Sequence, residues 1–350
     1  GGAFKTSEGV FERFGPGRVL DTPISEQAII GTAIGAAIKG QRPIAELMFA
    51  DFSAVCFDQI VNQLAKYRYM TGGQVTVPVT IRLANGAGNG FASQHSQSVE
   101  NWFLNVPGLK IAVPGSPADA YDLLLAAVRD DDPVLYFEHK AMLNLKGELD
   151  PGRERRPLGR ADIVRAGTDV TLVATQLMRV RSEQAAEALA DEGISVELID
   201  PRTLAPLDIE TIVGSVERTS RLIVVQEAPR AGGWGATVVE QVVDAAFDSL
   251  DAPPVLVAAD ETPIPYAGAR GCLEWTTSRR TSRRSSAALE VPGPDRRGVA
   301  RRAAGRGARV TVVRRSRARP RAGRGRGDRL HLACPGRSTQ RRHLGGRRRA

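Results

Sequence analysis

Short apolar runs alternate with helix-like stretches twice along the chain, and this alternation constrains the fold more than any other feature. In the first run "PIAELMF" (43–49), "VTVPVTIRL" (75–83), "LKIAV" (109–113) and "VLYFE" (134–138) have the length and β-branched content of strands. Residues 25–39, 53–69 and 117–129 carry helical patterning between them. Strands separated by helix-length crossovers pair in parallel, so the pattern predicts a parallel sheet with helices on both faces. The polar, Gly/Pro-rich stretch 143–167 reads as a linker, centred on 151–165. A second run follows. Its strands are "VTLVAT" (170–175), "SVELID" (195–200), "RLIVVQE" (221–227) and "PVLVAA" (254–259), and its helices span roughly 180–192, 208–218 and 235–247. The expected fold class is α/β, with two domains (1–150 and 166–267), each a mostly parallel sheet flanked by helices.

Charge divides the chain differently. The 350 residues carry a formal net charge of +9. Residues 268–350 hold 25 Arg, no Lys and four acids, a balance of +21, which leaves −12 for residues 1–267. Nucleic acid is therefore a poor partner for the body, and only the Arg-rich end has the electrostatics for it. That end has no apolar period and no interleaved aromatics, so it is expected to be disordered or a frame-shifted reading of a GC-rich gene. Cys56, Cys272 and Cys334 form no CxxC pair, which speaks against a disulfide framework and a zinc site. The absence of a signal peptide and of an 18-residue apolar run points to a cytoplasmic protein. The first residue is Gly, not Met, so an upstream start is expected.

Three places stand out for chemistry. "DTPISE" (21–26) opens an apolar stretch, with Ser25 as N-cap, Pro23 blocking helix upstream and Gly40 as the stop. Apolar residues over most of the circumference predict a buried helix, which sets Glu26 near the interior. Its carboxylate either complements the helix dipole or serves a site. "FADFS" (49–53) ends a strand with two aromatics, so Phe52 is a core residue or a site wall. "NGAGNG" (85–90) lacks the spacing of a dinucleotide or P-loop motif. Immediately after it comes "QHSQS" (94–98), where His95 sits on the kind of strand-end loop that carries function in open α/β sheets.

Together "DTPISE", "FADFSAVCFDQIVNQLAKYRYMTGG", "VPVTIR", "QHSQS", "PGLKIAVPGSPADAYDLLLAAVRDDDPVLYFE" and "IDPRTLAPLD" resemble the β subunit of the thiamine-diphosphate-dependent first component of 2-oxo acid dehydrogenase complexes. That family includes the pyruvate, branched-chain and acetoin enzymes. The resemblance runs in order through residues 1–267, and it implies a pyrimidine-binding domain followed by a transketolase C-terminal-like domain. Family members carry a few dozen residues before this start and a short closing helix after "PIPYA". The resemblance implies that Glu26 hydrogen-bonds N1′ of the aminopyrimidine and promotes the proton transfer that activates the thiazolium carbon. The cofactor supplies the electron sink for decarboxylation. Phe52 would stack on the pyrimidine, Ile24 would touch it, and His95 would handle substrate or acyl transfer to lipoamide. Val79, Ala127, Val128, Asp130 and Asp132 match a monovalent-cation (potassium) site, with Asp132 replacing the usual Asn. The Gly-Asp-Gly motif that holds diphosphate through magnesium is missing. The resemblance therefore assigns that half of the site to a separate α subunit in an α2β2 heterotetramer, which would work with a lipoyl acyltransferase.

Two other readings compete. A transketolase or deoxyxylulose-phosphate synthase fragment would carry the diphosphate motif upstream in the same gene. An Arg-rich nucleic-acid-binding protein would use only the last 83 residues. Which 2-oxo acid is used, or whether acetoin is, stays open.

Overall fold

The computed structural model describes residues 2–149, 152 and 155–266. The Arg-rich expectation for 268–350 lies outside the described residues. Helix α1 (Val10–Phe14) precedes α2 (Glu26–Ile38), and β1 (Ile44–Leu47) follows. The chain then passes through a 3₁₀ turn (Ala50–Ala54), a π-helical turn (Gln59–Leu64) and α3 (Tyr67–Met70) to β2 (Thr80–Asn85). After a 3₁₀ turn at Glu100–Phe103 come β3 (Lys110–Ala112), α4 (Pro117–Arg129) and β4 (Val134–His139). The second half comprises β5 (Asp162–Arg165), β6 (Val170–Ala174), α5 (Gln176–Asp191), β7 (Val196–Asp200), β8 (Thr203–Ala205), α6 (Ile209–Thr219), β9 (Leu222–Pro229), α7 (Trp234–Ala246) and β10 (Val255–Ala259).

Two five-stranded sheets result, ordered β1-β2-β4-β3-β8 and β10-β9-β6-β7-β5. Four strands of each run parallel, as the βα alternation predicts. Each sheet ends on an antiparallel strand that the sequence reading did not assign. β5 pairs with β7 through Ile163 and Ile199, although 162–165 was expected as linker. A four-residue strand with polar ends is too short to show a period against a polar background. β8 belongs to the second half by sequence, yet it pairs with β3 of the first sheet, Ile111 opposite Ala205.

Local chemistry explains the helix ends. Gly40 has φ +90, and its N–H reaches the Ala37 carbonyl at 2.8 Å while the Gln41 N–H reaches Ala36 at 3.1 Å. This is the Schellman closure that a left-handed glycine permits. Ser116 caps α4 by accepting from the Asp119 N–H at 3.1 Å, with Pro117 in the first turn. Ser25 holds the N-cap position of α2, but its side chain makes no capping bond.

Two expectations need correction. Helix α2 buries Ile30, Ala33, Ile34 and Ala37, but leaves Gln27, Ala28, Gly31, Gly35 and Ile38 exposed. One sheet covers one face of a helix, so an all-round apolar helix is only half buried within a single chain. The expected helix 53–69 is broken into 3₁₀, π and short α pieces. The i→i+5 bond from the Ala65 N–H to the Ile60 carbonyl (3.0 Å) marks the π turn, a deviation common beside functional sites.

The core is continuous across both halves. Leu47, Ile81, Leu83, Leu135 and Phe137 of the first sheet join Val173, Ile199, Val224, Trp234 and Val242 of the second in one buried cluster. Arg202 fastens the halves. It is fully buried and donates from Nε to Asp119 Oδ1 (2.6 Å) and from Nη1 to the Arg160 carbonyl (3.0 Å).

Candidate functional site

The C-terminal ends of β1, β2 and β4 place their following loops side by side, as a parallel sheet requires. The turn after β1 carries Phe49 and Phe52. The loop after β2 carries His95. The His95 ring stands edge-on to Phe49, centroids 4.7 Å apart at 87°, and to Phe52, 5.1 Å apart at 85°. Phe91 and Phe4 pack edge-on against Phe49 at 5.7 and 5.4 Å. Phe52 and His95 are half-buried, so each keeps a face open.

Glu26 opens α2 and is half-buried, short of the burial expected for it. It faces the same turn. The buried Cys56 thiol is pushed up to about 12, first by burial and then by the charge of Glu26. The carboxylate thus lies close to the segment that begins with Phe52. Ile24 is 74 % exposed. Phe52 and His95 therefore pack together, and Glu26 acts on the same segment through the charge felt at Cys56.

Beneath the aromatic cluster lies a polar layer of which the sequence reading named none. Asp51 is buried, and its Oδ1 accepts from the Gln97 N–H (3.1 Å) and Nε2 (2.9 Å). Lys140 is buried, with Nζ 3.3 Å from the Ala84 carbonyl and 5.8 Å from the Phe49 ring centroid. Burial lowers its pKa to about 8 against the opposing charges of Asp51 and Glu227. Glu100 accepts from Asn85 Nδ2 (2.7 Å), and burial raises its pKa. Glu227, from β9, meets His139 Nε2 at 2.8 Å. Burial pushes the Glu227 carboxyl up, but His139, the Ser98 hydroxyl and the Ala87 amide outweigh it and bring it to about 2. The only sequence signal for these residues is their place at the ends of apolar runs, in "FEHK" and "VVQE".

The expected cation site is held together differently. The Val79 carbonyl accepts from the Val134 N–H (3.0 Å), and that of Ala127 from the Asp130 N–H (3.3 Å). Arg42 Nη1 donates to the carbonyls of Val128 (3.3 Å) and Asp130 (2.8 Å). Lys110 Nζ sits 2.7 Å from the Asp130 carboxylate, and Arg68 pairs with Asp132. Arg42, Lys110 and Arg68 thus serve the Val128, Asp130 and Asp132 side of this cradle, while the Val79 and Ala127 carbonyls each accept one backbone N–H. Among the described residues no group of three His, Cys, Asp or Glu is placed to hold a metal. None of their helices is long and apolar enough to cross a membrane.

Known proteins share this architecture. Residues 1–146 match the family model "Transketolase, pyrimidine binding domain", and residues 159–274 match "Transketolase, C-terminal domain". The chain is 48 % identical over 267 residues to the acetoin:2,6-dichlorophenolindophenol oxidoreductase subunit beta of Bacillus subtilis, covering 76 % of this chain and 78 % of the relative. It is 43 % identical over 266 residues to the pyruvate dehydrogenase E1 component subunit beta of Rickettsia conorii, covering 76 % and 82 %. It is 41 % identical over 297 residues to the 3-methyl-2-oxobutanoate dehydrogenase subunit beta of Mycobacterium tuberculosis, covering 85 % and 80 %. A solved structure titled as a split-gene transketolase, an inactive β4 tetramer, superposes with a TM-score of 0.66 at 26 % identity, over 79 % of this chain and 86 % of that one. On these grounds the chain belongs to the transketolase-like family of 2-oxo acid and acetoin dehydrogenase β subunits.

Proposed function

We propose that the chain supplies the pyrimidine half of a thiamine-diphosphate site completed by an α subunit. The assembled α2β2 enzyme decarboxylates a 2-oxo acid and passes the acyl group to the lipoamide of an acyltransferase. The observation that carries this reading is the packing of His95 against Phe52, in the segment whose Cys56 feels the charge of Glu26. The bound cofactor supplies the electron sink. Glu26 holds and moves a proton at the pyrimidine nitrogen from the start of α2. Phe52 presents a ring face to the heterocycle, and Ile24 covers its edge. His95 is fixed edge-on by Phe49 and Phe52, with its nitrogens left to meet substrate or the lipoyl thiol.

Magnesium and the diphosphate belong to the α subunit in this reading, because the chain has no Gly-Asp-Gly motif. A potassium ion at Val79, Ala127, Val128, Asp130 and Asp132 would have to displace Arg42 from the Val128 and Asp130 carbonyls. The cytoplasm is the proposed compartment. Acetoin is favoured as a second substrate reading by one observation: the two relatives at 48 % identity are named for it, against 41–43 % for those named for 2-oxo acids.

The test is Glu26→Gln in the co-expressed αβ enzyme, assayed with pyruvate, branched-chain 2-oxo acids and acetoin. Turnover of the preferred substrate should fall by at least about 10²-fold, the range for losing a positioned acid–base group. Cofactor affinity should fall much less. Near-normal turnover rules out the role.

A further inference from the structure

We infer that Glu227, a residue of the second sheet, is a positioning residue that clamps both feet of the loop carrying His95. The importance given to His95 rests on the function proposed above; the clamp itself rests on geometry. The loop leaves β2 after Asn85 and returns at Val99. Each Glu227 oxygen takes one foot. Oε1 accepts from the Ala87 N–H at 3.3 Å, and Oε2 accepts from the Ser98 hydroxyl at 2.8 Å. The feet also meet each other, with the Gly86 N–H on the Gln97 carbonyl at 3.1 Å and the Val99 N–H on Asn85 Oδ1 at 3.1 Å.

The carboxylate is itself held. His139 Nδ1 accepts from the Ala141 N–H at 3.2 Å, which leaves Nε2 to donate to Glu227 Oε2 at 2.8 Å. Gly86 lets the loop press onto this pair. Its φ is +83, and a Cβ there would collide with the His139 imidazole and lie 2.8 Å from Glu227 Oε2. Between the feet the backbone bends sharply, with positive φ at Gly88, Gly90 and Ala92. Such a segment has little regular structure of its own, so its path is set where it is fastened. Within the first half Asp51 holds Gln97, and the bond that reaches both feet at once comes from the other half of the chain, 129 residues away from Ser98 and 140 from Ala87. Glu227 thereby fixes where His95 meets Phe49 and Phe52 without itself touching a reacting atom.

The test uses the co-expressed αβ holoenzyme with Glu227→Ala, Glu227→Gln, His95→Ala and the double Glu227→Ala/His95→Ala variant. Hydrogen exchange reads the clamp directly. Amides of 87–98 should exchange at least about tenfold faster in Glu227→Ala, while 80–85 and 134–139 keep their protection. Acyl transfer to a lipoyl domain should fall about tenfold in Glu227→Ala and recover in part in Glu227→Gln, and the double variant should be no slower than His95→Ala alone. Unchanged exchange in the loop, or losses that multiply in the double variant, overturns the clamp. Full activity of His95→Ala would instead defeat the proposed role of His95, and exchange would still decide on Glu227. If Glu227→Ala does not assemble, Ser98→Ala removes one foot contact and should show the same pattern at smaller size.

Discussion

The two sheets are built alike and finished differently. Each has four parallel strands and one antiparallel edge. Around the second, α5, α6 and α7 are unbroken helices of 16, 11 and 13 residues. Around the first, β1 is followed by 3₁₀, π and short α turns, and β2 by the long loop that bears His95. The surfaces differ in the same sense. Among the described residues, sixteen large apolar side chains are exposed before residue 150, including Phe11, Phe14, Ile24, Tyr69 and Met70. Between residues 155 and 266 they are Ile163, Phe247 and Tyr266 among the described residues. Where such side chains adjoin, they are the surface a partner contact would cover. The second half satisfies itself. The first half carries the proposed site and most of the exposed apolar side chains, and Arg202 and Glu227 tie it to the second.

If the halves depend on each other this way, cutting the anchorage should cost the most. Arg202→Ala strips Asp119 of a fully buried cation. Removing one partner of a buried pair typically costs about 3–5 kcal/mol, because the other charge stays behind in the interior. Urea unfolding should show one cooperative transition moved to lower denaturant, with fluorescence and circular dichroism coinciding. A loss below about 1 kcal/mol, or two separated transitions, would show halves that fold independently.

The site half should also hide a stability cost. Lys140 is buried with a pKa near 8, between Asp51 and Glu227 and under the Phe49 ring. In the unfolded chain a lysine titrates near 10.4. Between those values the unfolded state binds more proton, so stability rises with pH from about 8 and levels off above 10.4. The gain is about 3 kcal/mol if the full shift is realised. Lys140→Met should lack this rise, and the wild-type-minus-variant difference isolates it from other titrating groups. Parallel pH curves for the two proteins would mean the ammonium is solvated, and the first half would then carry no such burden.

The same contrast decides what the sequence showed. The apolar runs at 43–49, 75–83, 109–113, 134–138, 170–175, 195–200, 221–227 and 254–259 each overlap a strand, although β2 begins only at Thr80, because a strand buried on both faces must be apolar throughout. β8 was invisible: three residues have no period, and its pairing with β3 is set by Arg202 and the chain's return across the halves. The stretch 53–69 looked helical because side-chain spacing does not distinguish α from π or 3₁₀ hydrogen bonding. Glu26, Phe52 and His95 stand out in sequence because Glu26 opens an apolar helix, Phe52 follows an apolar strand and His95 follows a glycine-rich loop. His139 and Glu227 were not. Their pairing spans 88 residues and two sheets, and no local pattern encodes it.

The smallest effect tests the surfaces. Met70→Asp and Phe247→Asp each place a charge where a large apolar side chain is already exposed, at 60 % and 65 %. Neither removes core packing, so in the isolated chain each should change unfolding stability by no more than about 0.5 kcal/mol. Co-expression with the α subunit should separate them. If the first half is completed by that partner, Met70→Asp buries an unpaired carboxylate at the contact, a penalty that weakens association at least about tenfold. Phe247→Asp, on the self-sufficient half, should leave assembly unchanged. Size-exclusion chromatography of dilution series reads both. Equal effects from the two substitutions would erase the distinction between a finished and an unfinished half, and would place the partner contact on both sheets.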